Sequence, residues 1–443
     1  MSGPDPRGLE AKVESLMQAY VVPGVAVGLL DPRGERIFGF GITNVEHPLP
    51  VDADTVFEIA SITKTMTATV AALLAADGRL DLDAPVRRYL PDFRVADADV
   101  SARVTVRDLF THTAGWFGEY LPPAGHGADA IALGVAAMVG LDQVSPVGTF
   151  SYNNNSLTVA GRVIEVIEGK PYEHVVRERL FEPLGMTRSF FRAEDVLYLR
   201  LAAGHTVRGG QAVLVRSRFS EGSAGAPVGG VRSTVRDLLR YARAHLGAGE
   251  ASSLMPDAAF AGMREPRVTV GPAGHVGLSW FLEERDGVRI ASHGGATVAH
   301  MSQLVIVPAR GAAFTILTNG ANGARLCADL GEWLLIGWLG LPARRRPVPL
   351  AEQPELAAYE GSYWAPLSDI TITAEDGALV LRLTWKGSVA ERPTPAPLRL
   401  AFTGPDTVVA TAGDPPAVAN FLRGADGAIA YLRWGGRVRR KVA

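Results

Sequence analysis

Ser61-Ile62-Thr63-Lys64 opens a stretch of helical periodicity that runs to Ala76 and closes at Asp77-Gly78, where glycine suits a left-handed cap. The three-residue spacing puts the Ser61 and Lys64 side chains on one helix face, a turn apart. From there a lysine amine can take the serine proton, and the unpaired N–H groups of a helix start suit a developing oxyanion. A free lysine is protonated near neutral pH, so this role requires burial or a neighbouring positive charge. Taken alone, the pattern more often marks an N-capping serine followed by an exposed lysine.

Two later stretches can complete such a site. Tyr152-Asn153-Asn154 lies in a Gly/Ser/Asn loop that leads into a helix. A tyrosine there can shuttle a proton between nucleophile and leaving group, and an asparagine amide can hydrogen-bond both a lysine and a substrate amide. The plain alternative is a turn that caps the following helix. His293-Gly294-Gly295 ends an extended segment, and two glycines let another backbone approach closely. An extended peptide could pair there, with the Ala296 N–H as a second oxyanion donor. A β-bulge carrying a surface histidine is the plain alternative.

Working outward, Glu10 to Tyr20 reads as an amphipathic helix, and Gly24 to Leu30 and Arg36 to Ile42 as strands joined by the turn Asp31-Pro32-Arg33-Gly34. Helices are expected at Thr105 to Thr111, Ser156 to Glu168, Pro171 to Leu180 and Ser233 to Leu246. Strand character returns at Val276 to Glu283, Val288 to Ser292, His300 to Val307 and Ala312 to Thr318, before a last helix near Ala324 to Leu339. One sheet fed from both ends of this region, with helices inserted, is an α/β layout. Residues 1–340 form the first domain in this reading, and the proline-rich stretch 341–354 is a linker. Residues 355–443 change to short alternating strands with hairpin turns, such as Asp369 to Thr373, Ala378 to Trp385 and the Asp426-Gly427 turn, and read as a small all-β barrel. Tyr359, Tyr363 and Trp364 are expected in its core or at its rim.

The 443 residues carry a formal net charge of -2, with 47% hydrophobic and 20% charged residues, as in a soluble globular protein. No basic face stands out. Arg344-Arg345-Arg346 sits among linker prolines, and nucleic acid is not an expected partner. Cys327 is the only cysteine, which excludes an intrachain disulfide and a thiolate cluster. The histidines lack His-Glu-x-x-His spacing, so neither a metal nor another cofactor is expected. Gly271-Pro272-Ala273-Gly274-His275-Val276-Gly277 lacks the Gly-Lys-Ser/Thr ending of a phosphate cradle and reads as a loop. Without an export-signal pattern or membrane-length apolar run, the expectation is a cytoplasmic protein with no membrane partner.

Ser-x-x-Lys, then Tyr-x-Asn, then a His-Gly-Gly strand segment resembles, in that order, the serine β-lactamase and penicillin-binding-protein superfamily, with its class C β-lactamases, DD-peptidases, esterases and D-aminopeptidases. The resemblance spans roughly residues 8–340 and includes Phe110-Thr111-His112-Thr113-Ala114-Gly115 and Gly229-Gly230-Val231-Arg232-Ser233-Thr234. It implies an antiparallel sheet flanked by helices plus a helical subdomain, with the site in the groove between them; the tail resembles the lipocalin-like domains of such hydrolases. Carried over by position, Ser61 is the acylated nucleophile and Lys64 with Tyr152 the general base pair. Asn154 holds Lys64 and the substrate amide, His293 takes the place of the family's Lys-Thr-Gly lysine, and the Ser61 and Ala296 N–H groups form the oxyanion hole. Gly294 and Gly295 line the substrate.

The departures narrow the chemistry. A histidine stands where β-lactamases carry lysine, and no Ser-Asp-Asn motif or class A glutamate loop is present. What the resemblance implies is therefore a serine hydrolase or acyltransferase for small peptide-like amides, esters or thioesters, with D-configured residues. A narrower reading is a penicillin-binding-protein-type thioesterase that macrocyclises nonribosomal peptides delivered by a peptidyl carrier or as an activated ester. A reading of another class is a non-catalytic receptor for β-lactams or peptidoglycan fragments. A functional His293 is expected to place a limb in the rate profile near neutral pH. The basic end Arg437-Val438-Arg439-Arg440-Lys441 is read either as a contact for a substrate carboxylate or as a solvated final strand.

Overall fold

Strand Gly24–Asp31 (β1) is buried along its whole length. Its side chains divide by alternation between two cores, Val25, Val27 and Leu29 in one and Ala26 and Leu30 in the other. A strand apolar on both faces demands a covering layer on each side. The computed structural model describes residues 6–119, 125, 127–216, 223–247, 256–271, 274–413 and 416–442.

The sheet around β1 adds Gly34–Gly41 (β2), Val268–Gly271 (β3), Gly274–Val276 (β4), Phe281–Arg285 (β5), Val288–Ala296 (β6), Met301–Val307 (β7) and Ala312–Thr318 (β8). Their order is β2-β1-β8-β7-β6-β5-β4-β3, with every neighbour antiparallel. Helices Pro6–Tyr20 (α1), Thr63–Ala76 (α2), Val106–Thr111 (α3), Asn154–Glu168 (α4), Val235–His245 (α5) and Gly323–Gly337 (α6) supply the covering. Leu9 and Val13 of α1 and Leu326, Leu330 and Leu334 of α6 pack on one face. On the other, Leu238 and Leu239 of α5 join the core of the helical subdomain built on α2, α3 and α4.

Several boundaries depart from the sequence reading. The strand expected from Val276 to Glu283 is broken at Gly277–Trp280. There Leu278 N–H donates to Met263 O and Ser279 N–H to Phe110 O, both at 2.9 Å, so the break trades ladder bonds for contacts to the helical side. The hairpin His205–Arg208 with Gln211–Leu214 was unforeseen, although Gly209-Gly210, both with positive φ, marks its turn. The expected helix from Pro171 is α-helical only over Tyr172–Val176, then widens into a π turn over Arg177–Phe181. Of the glycine-rich stretch 271–277, Pro272 and Ala273 lie outside the described residues; its ends belong to β3 and β4 and to the break.

The tail is a closed antiparallel barrel of Gly361–Ala365 (β9), Ser368–Glu375 (β10), Ala378–Trp385 (β11), Leu398–Gly404 (β12), Thr407–Gly413 (β13), Pro416–Arg423 (β14), Ile429–Trp434 (β15) and Arg437–Val442 (β16). It closes where Tyr363 pairs with Lys441 and Trp364 with Arg440. Aromatic rings fill its interior: the Tyr359 ring centroid lies 4.7 Å from that of Phe402 and 4.8 Å from that of Phe421. Residues 341–356 carry no helix or strand. They are tied at both ends, through an ion pair of Arg344 with Glu283 and through Leu350 N–H donating to Phe402 O at 2.7 Å.

Because Phe421 is packed on three other rings, Phe421→Ala is expected to cost about 3–5 kcal/mol. Hydrogen exchange read by mass spectrometry is expected to show that loss in peptides of β9 to β16, with β1 and β8 unchanged; protection retained in the barrel would contradict a ring-packed interior.

Candidate active site

The turn that carries Ser61 is pinned from several sides. Ala60, with φ of +46°, begins a 3-10 turn, Ala60–Ile62, that runs into α2. A left-handed alanine is strained, so its surroundings must hold it. Ile59 N–H donates to Val231 O at 3.1 Å, Ile59 O accepts from Ser302 Oγ at 2.8 Å, and Thr63 Oγ1 accepts from Val231 N–H at 3.2 Å. A Cβ at Gly295 of β6 would overlap Ile59 O and Ser302 Oγ, so glycine is required for that strand to pass the turn.

Lys64 is wholly buried. Its Nζ lies 2.8 Å from Ser61 Oγ and 2.8 Å from Val228 O, and among the described residues no carboxylate pairs with it. Burial first, and the positive charge of Arg437 second, hold its pKa well below the usual lysine range. Val228 O can only accept, which fixes one Lys64 N–H; the lone pair of an unprotonated amine is then free for the Ser61 proton. Burial pushes the Tyr152 phenol up to about 12, against a smaller lowering by Ser61, so it stays protonated near neutral pH.

The Tyr152 loop is stapled to residues 112–118. Asn153 Nδ2 donates to Trp116 O at 2.7 Å, Asn154 N–H to Gly118 O at 2.9 Å and Asn155 Nδ2 to Phe117 O at 3.1 Å. Asn153 Oδ1 caps α4 through Ser156 N–H. Here the expectation that Asn154 holds Lys64 needs correction: among the described residues the amine meets Ser61 Oγ and the Val228 carbonyl, and Asn154 Oδ1 is buried with no hydrogen-bond partner. His112 also went unassigned by sequence reasoning. In the left-handed cap of α3, its Nδ1 accepts from Asn153 N–H at 3.1 Å and its ring lies 4.6 Å from that of Tyr152. The signal was present in the Thr-His-Thr-Ala-Gly stretch, but its partner lies forty-one positions away.

β6 runs regularly through His293, Gly294, Gly295 and Ala296, paired with β7 on one edge. Its other edge pairs with β5 only as far as Ser292, so His293 to Ala296 leave that edge open beside Ser61. His293 is buried with its ring 6.3 Å from that of Tyr152. Its Nδ1 meets Gly294 O at 2.6 Å and must carry the proton, leaving Nε2 as a buried acceptor without a partner. Burial, then the Lys64 charge, lower its pKa to about 3. The rate-profile limb near neutral pH expected for His293 is therefore corrected: the imidazole is neutral throughout that range.

One barrel hairpin enters the site. Tyr152 N–H donates to Gly436 O at 2.9 Å, and Val438 N–H donates to Ser151 Oγ at 3.1 Å. The Arg437 guanidinium lies 5.1 Å from the Tyr152 ring centroid and pairs with Glu119 at 2.7 Å. Of the basic end, only Arg437 reaches this place: Arg439 bonds Ser368, Arg440 stacks on Trp364 and Lys441 donates to Ala358 O. Among the described residues no group of three or more His, Cys, Asp or Glu side chains is arranged for a metal, and no helix is long and apolar enough to cross a membrane.

Two outcomes follow from this geometry. Gly295→Ala should leave the fold intact by circular dichroism yet slow acylation of Ser61 by about a hundredfold, from displacement of the nucleophile turn; an unchanged rate would show that the turn tolerates the added carbon. In His293→Gln, the rate from pH 5.5 to 8 should keep the parent's shape while its height falls, since no titrating group is removed; a limb lost from that window would show that His293 titrates there.

The Beta-lactamase family model matches residues 9–336. Penicillin-binding protein 4 of Amycolatopsis lactamdurans is 32% identical over 81% of this chain and 98% of its own length. Esterase EstB of Burkholderia gladioli is 28% identical over 60% of this chain and 84% of its own. The crystal structure of SurE superposes with a TM-score of 0.81 at 27% identity, covering 98% of this chain and 99% of SurE, and SurE with D-Leu does so with a TM-score of 0.80 at 25% identity, with the same coverage. A match over most of the first domain, centred on a serine and a buried lysine that share a hydrogen bond, means that this chain belongs to the beta-lactamase family within the serine hydrolase superfamily.

Proposed function

We propose that this protein is a serine acyl-enzyme hydrolase or acyltransferase for peptide-like amides, esters or thioesters that present D-configured residues to Ser61. The observation that carries the reading is the 2.8 Å contact of Ser61 with a fully buried lysine lacking a carboxylate partner. In this mechanism the Ser61 proton passes to Lys64 as Oγ adds to the carbonyl carbon, and the Ser61 and Ala296 N–H groups receive the oxyanion. The proton then returns, through Lys64 and the Tyr152 hydroxyl, to the departing group. Water or an amine resolves the acyl-enzyme by the same path in reverse.

His293 favours a substrate without a carboxylate at that position. A neutral imidazole with only Nε2 free can accept an N–H but cannot pair with an anion as an ammonium does. Asn154 Oδ1 is a second acceptor without a partner. Both suit the amide donors of an extended peptide lying along the open edge of β6. Support for D-residues comes from SurE, which was solved with D-Leu and matches this chain across both domains.

A second reading, macrocyclisation of a nonribosomal peptide from a carrier or activated ester, is favoured by the barrel hairpin on the Tyr152 loop. Aminolysis needs the amine held near the acyl carbon and water kept away, and a domain packed against the site serves both needs. In the opposing case, a non-catalytic receptor for β-lactams or peptidoglycan fragments, a base beside Ser61 has no task.

Intact-mass spectrometry against amide, ester and thioester donors with D- or L-residues at the acyl position tests the reading. The expected result is a Ser61 adduct that forms and turns over, faster from D-residue donors. Ser61→Ala should form none, and Lys64→Met should acylate on the order of a hundredfold or more slower. An adduct that never turns over would favour the receptor, and a cyclised product from a linear peptide thioester would favour the cyclase.

A further inference from the structure

Tyr152 is held by both domains. From the first, Lys64 Nζ stands 5.1 Å from its ring centroid and His112 packs on its ring. From the second, the Gly435-Gly436 turn, both residues with positive φ, delivers a carbonyl to the Tyr152 N–H and the Arg437 guanidinium to a point 5.1 Å from the same ring centroid. The Lys64 and Arg437 charges are therefore no more than about 10 Å apart across an aromatic ring, with Lys64 fully buried and the Arg437 side chain 33% exposed.

We propose that the barrel completes the catalytic centre: Arg437 is a positioning residue that clamps Tyr152 beside Ser61, and its charge opposes protonation of Lys64. This rests on the acyl-transfer reading above for its catalytic meaning, but not for its physics. The groups facing Lys64 are Ser61 on its own turn, the Val228 carbonyl, Tyr152 and His112 from the helical side, His293 from β6 and Arg437 from the barrel. Tyr152 stays a phenol, and both imidazoles are buried with their pKa values lowered, so they are neutral at working pH. Arg437 is thus the permanent charge among them. Its partner Glu119, at 2.7 Å, partly offsets it.

The direction of each effect follows. Without the Arg437 charge, Lys64 binds its proton more readily, and the pH below which the base is lost moves up, by as much as about one unit at an effective dielectric of about 20. Without the Glu119 carboxylate, Arg437 acts unscreened and the same pH moves down. Burial contributes more than Arg437 to the lowered pKa of Lys64, so neither change restores an ordinary lysine.

The chain has only five lysines, Lys12, Lys64, Lys170, Lys386 and Lys441, so the Lys64 side chain can be followed directly by NMR of the full-length protein labelled with 13C at lysine Cε. Its signal is assigned by its loss in Lys64→Arg. Relative to the parent, the Lys64 titration is expected to shift up in Arg437→Gln, to be largely restored in Arg437→Lys, and to shift down in Glu119→Gln. Should Arg437→Gln fail to fold, Glu119→Gln decides alone. An unchanged Lys64 midpoint in Arg437→Gln or in Glu119→Gln overturns the proposal, leaving burial as the whole cause. No substrate enters this measurement, so failure to find an acyl donor would count against the proposed function and not against this inference. With a donor in hand, the acidic limb of the Ser61 acylation rate should move in step with the NMR midpoint, and kcat should fall more than KM rises in Arg437→Gln, as a structural role alone would not require.

Discussion

An amine buried beside a serine, with a carbonyl but no carboxylate to meet it, is the contact around which this molecule is organised. An ammonium in such a place costs free energy unless paired, and the inexpensive alternative is to lose the proton. Almost every packing choice near the site keeps that amine dry. Helix α2 is buried from Thr63 to Leu74, so its polar residues are spent inward: Thr65, Thr67 and Thr69 bond to backbone carbonyls of their own helix, and Thr67 and Thr69 also meet the hydroxyls of Tyr172 and Tyr241. A helix without a wet face keeps the Lys64 side chain buried.

The same requirement explains why the site draws on distant parts of the chain. The Ser61 turn is strained at Ala60 and held by Val231 and Ser302. The Tyr152 loop is short of partners within itself and takes them from residues 112–118 and from Gly436. Several groups of each segment pair outside it, because a buried backbone group must find a partner somewhere. The barrel therefore does more than follow the hydrolase domain: one of its hairpins supplies hydrogen bonds that the Tyr152 loop would otherwise be missing.

His293 shows how burial sets the chemistry that one side chain brings to a site. An ammonium at the open edge of β6 would bring a charge; the imidazole brings an acceptor, because Gly294 O takes its only proton. The field at the site then comes from the other direction, from Arg437 and Glu119. The cation belongs to the barrel, and the Glu119 carboxylate of the first domain pairs with it.

Local sequence determined the parts that local physics controls. The Ser61 helix with its glycine stop, the apolar runs of β1 and β8, the break in pattern after residue 340 and the hairpin turns of the tail all follow from periodicity and turn chemistry over a few residues. The Ser-x-x-Lys spacing set two side chains on one helix face for the same reason. Tertiary structure decided what those side chains became. Lys64 reads equally well as an exposed lysine until Val228 and Tyr152 enclose it, and Arg437 reads as part of a solvated strand until the barrel sets it against Tyr152. Asn154 was expected to hold Lys64 and His293 to titrate near neutral pH, yet Val228 bonds the lysine and burial keeps the histidine neutral. Desolvation and long-range charge depend on what fills the space around a group, and residues far along the chain fill it; that is why spacing marked the site and only the fold set its protonation.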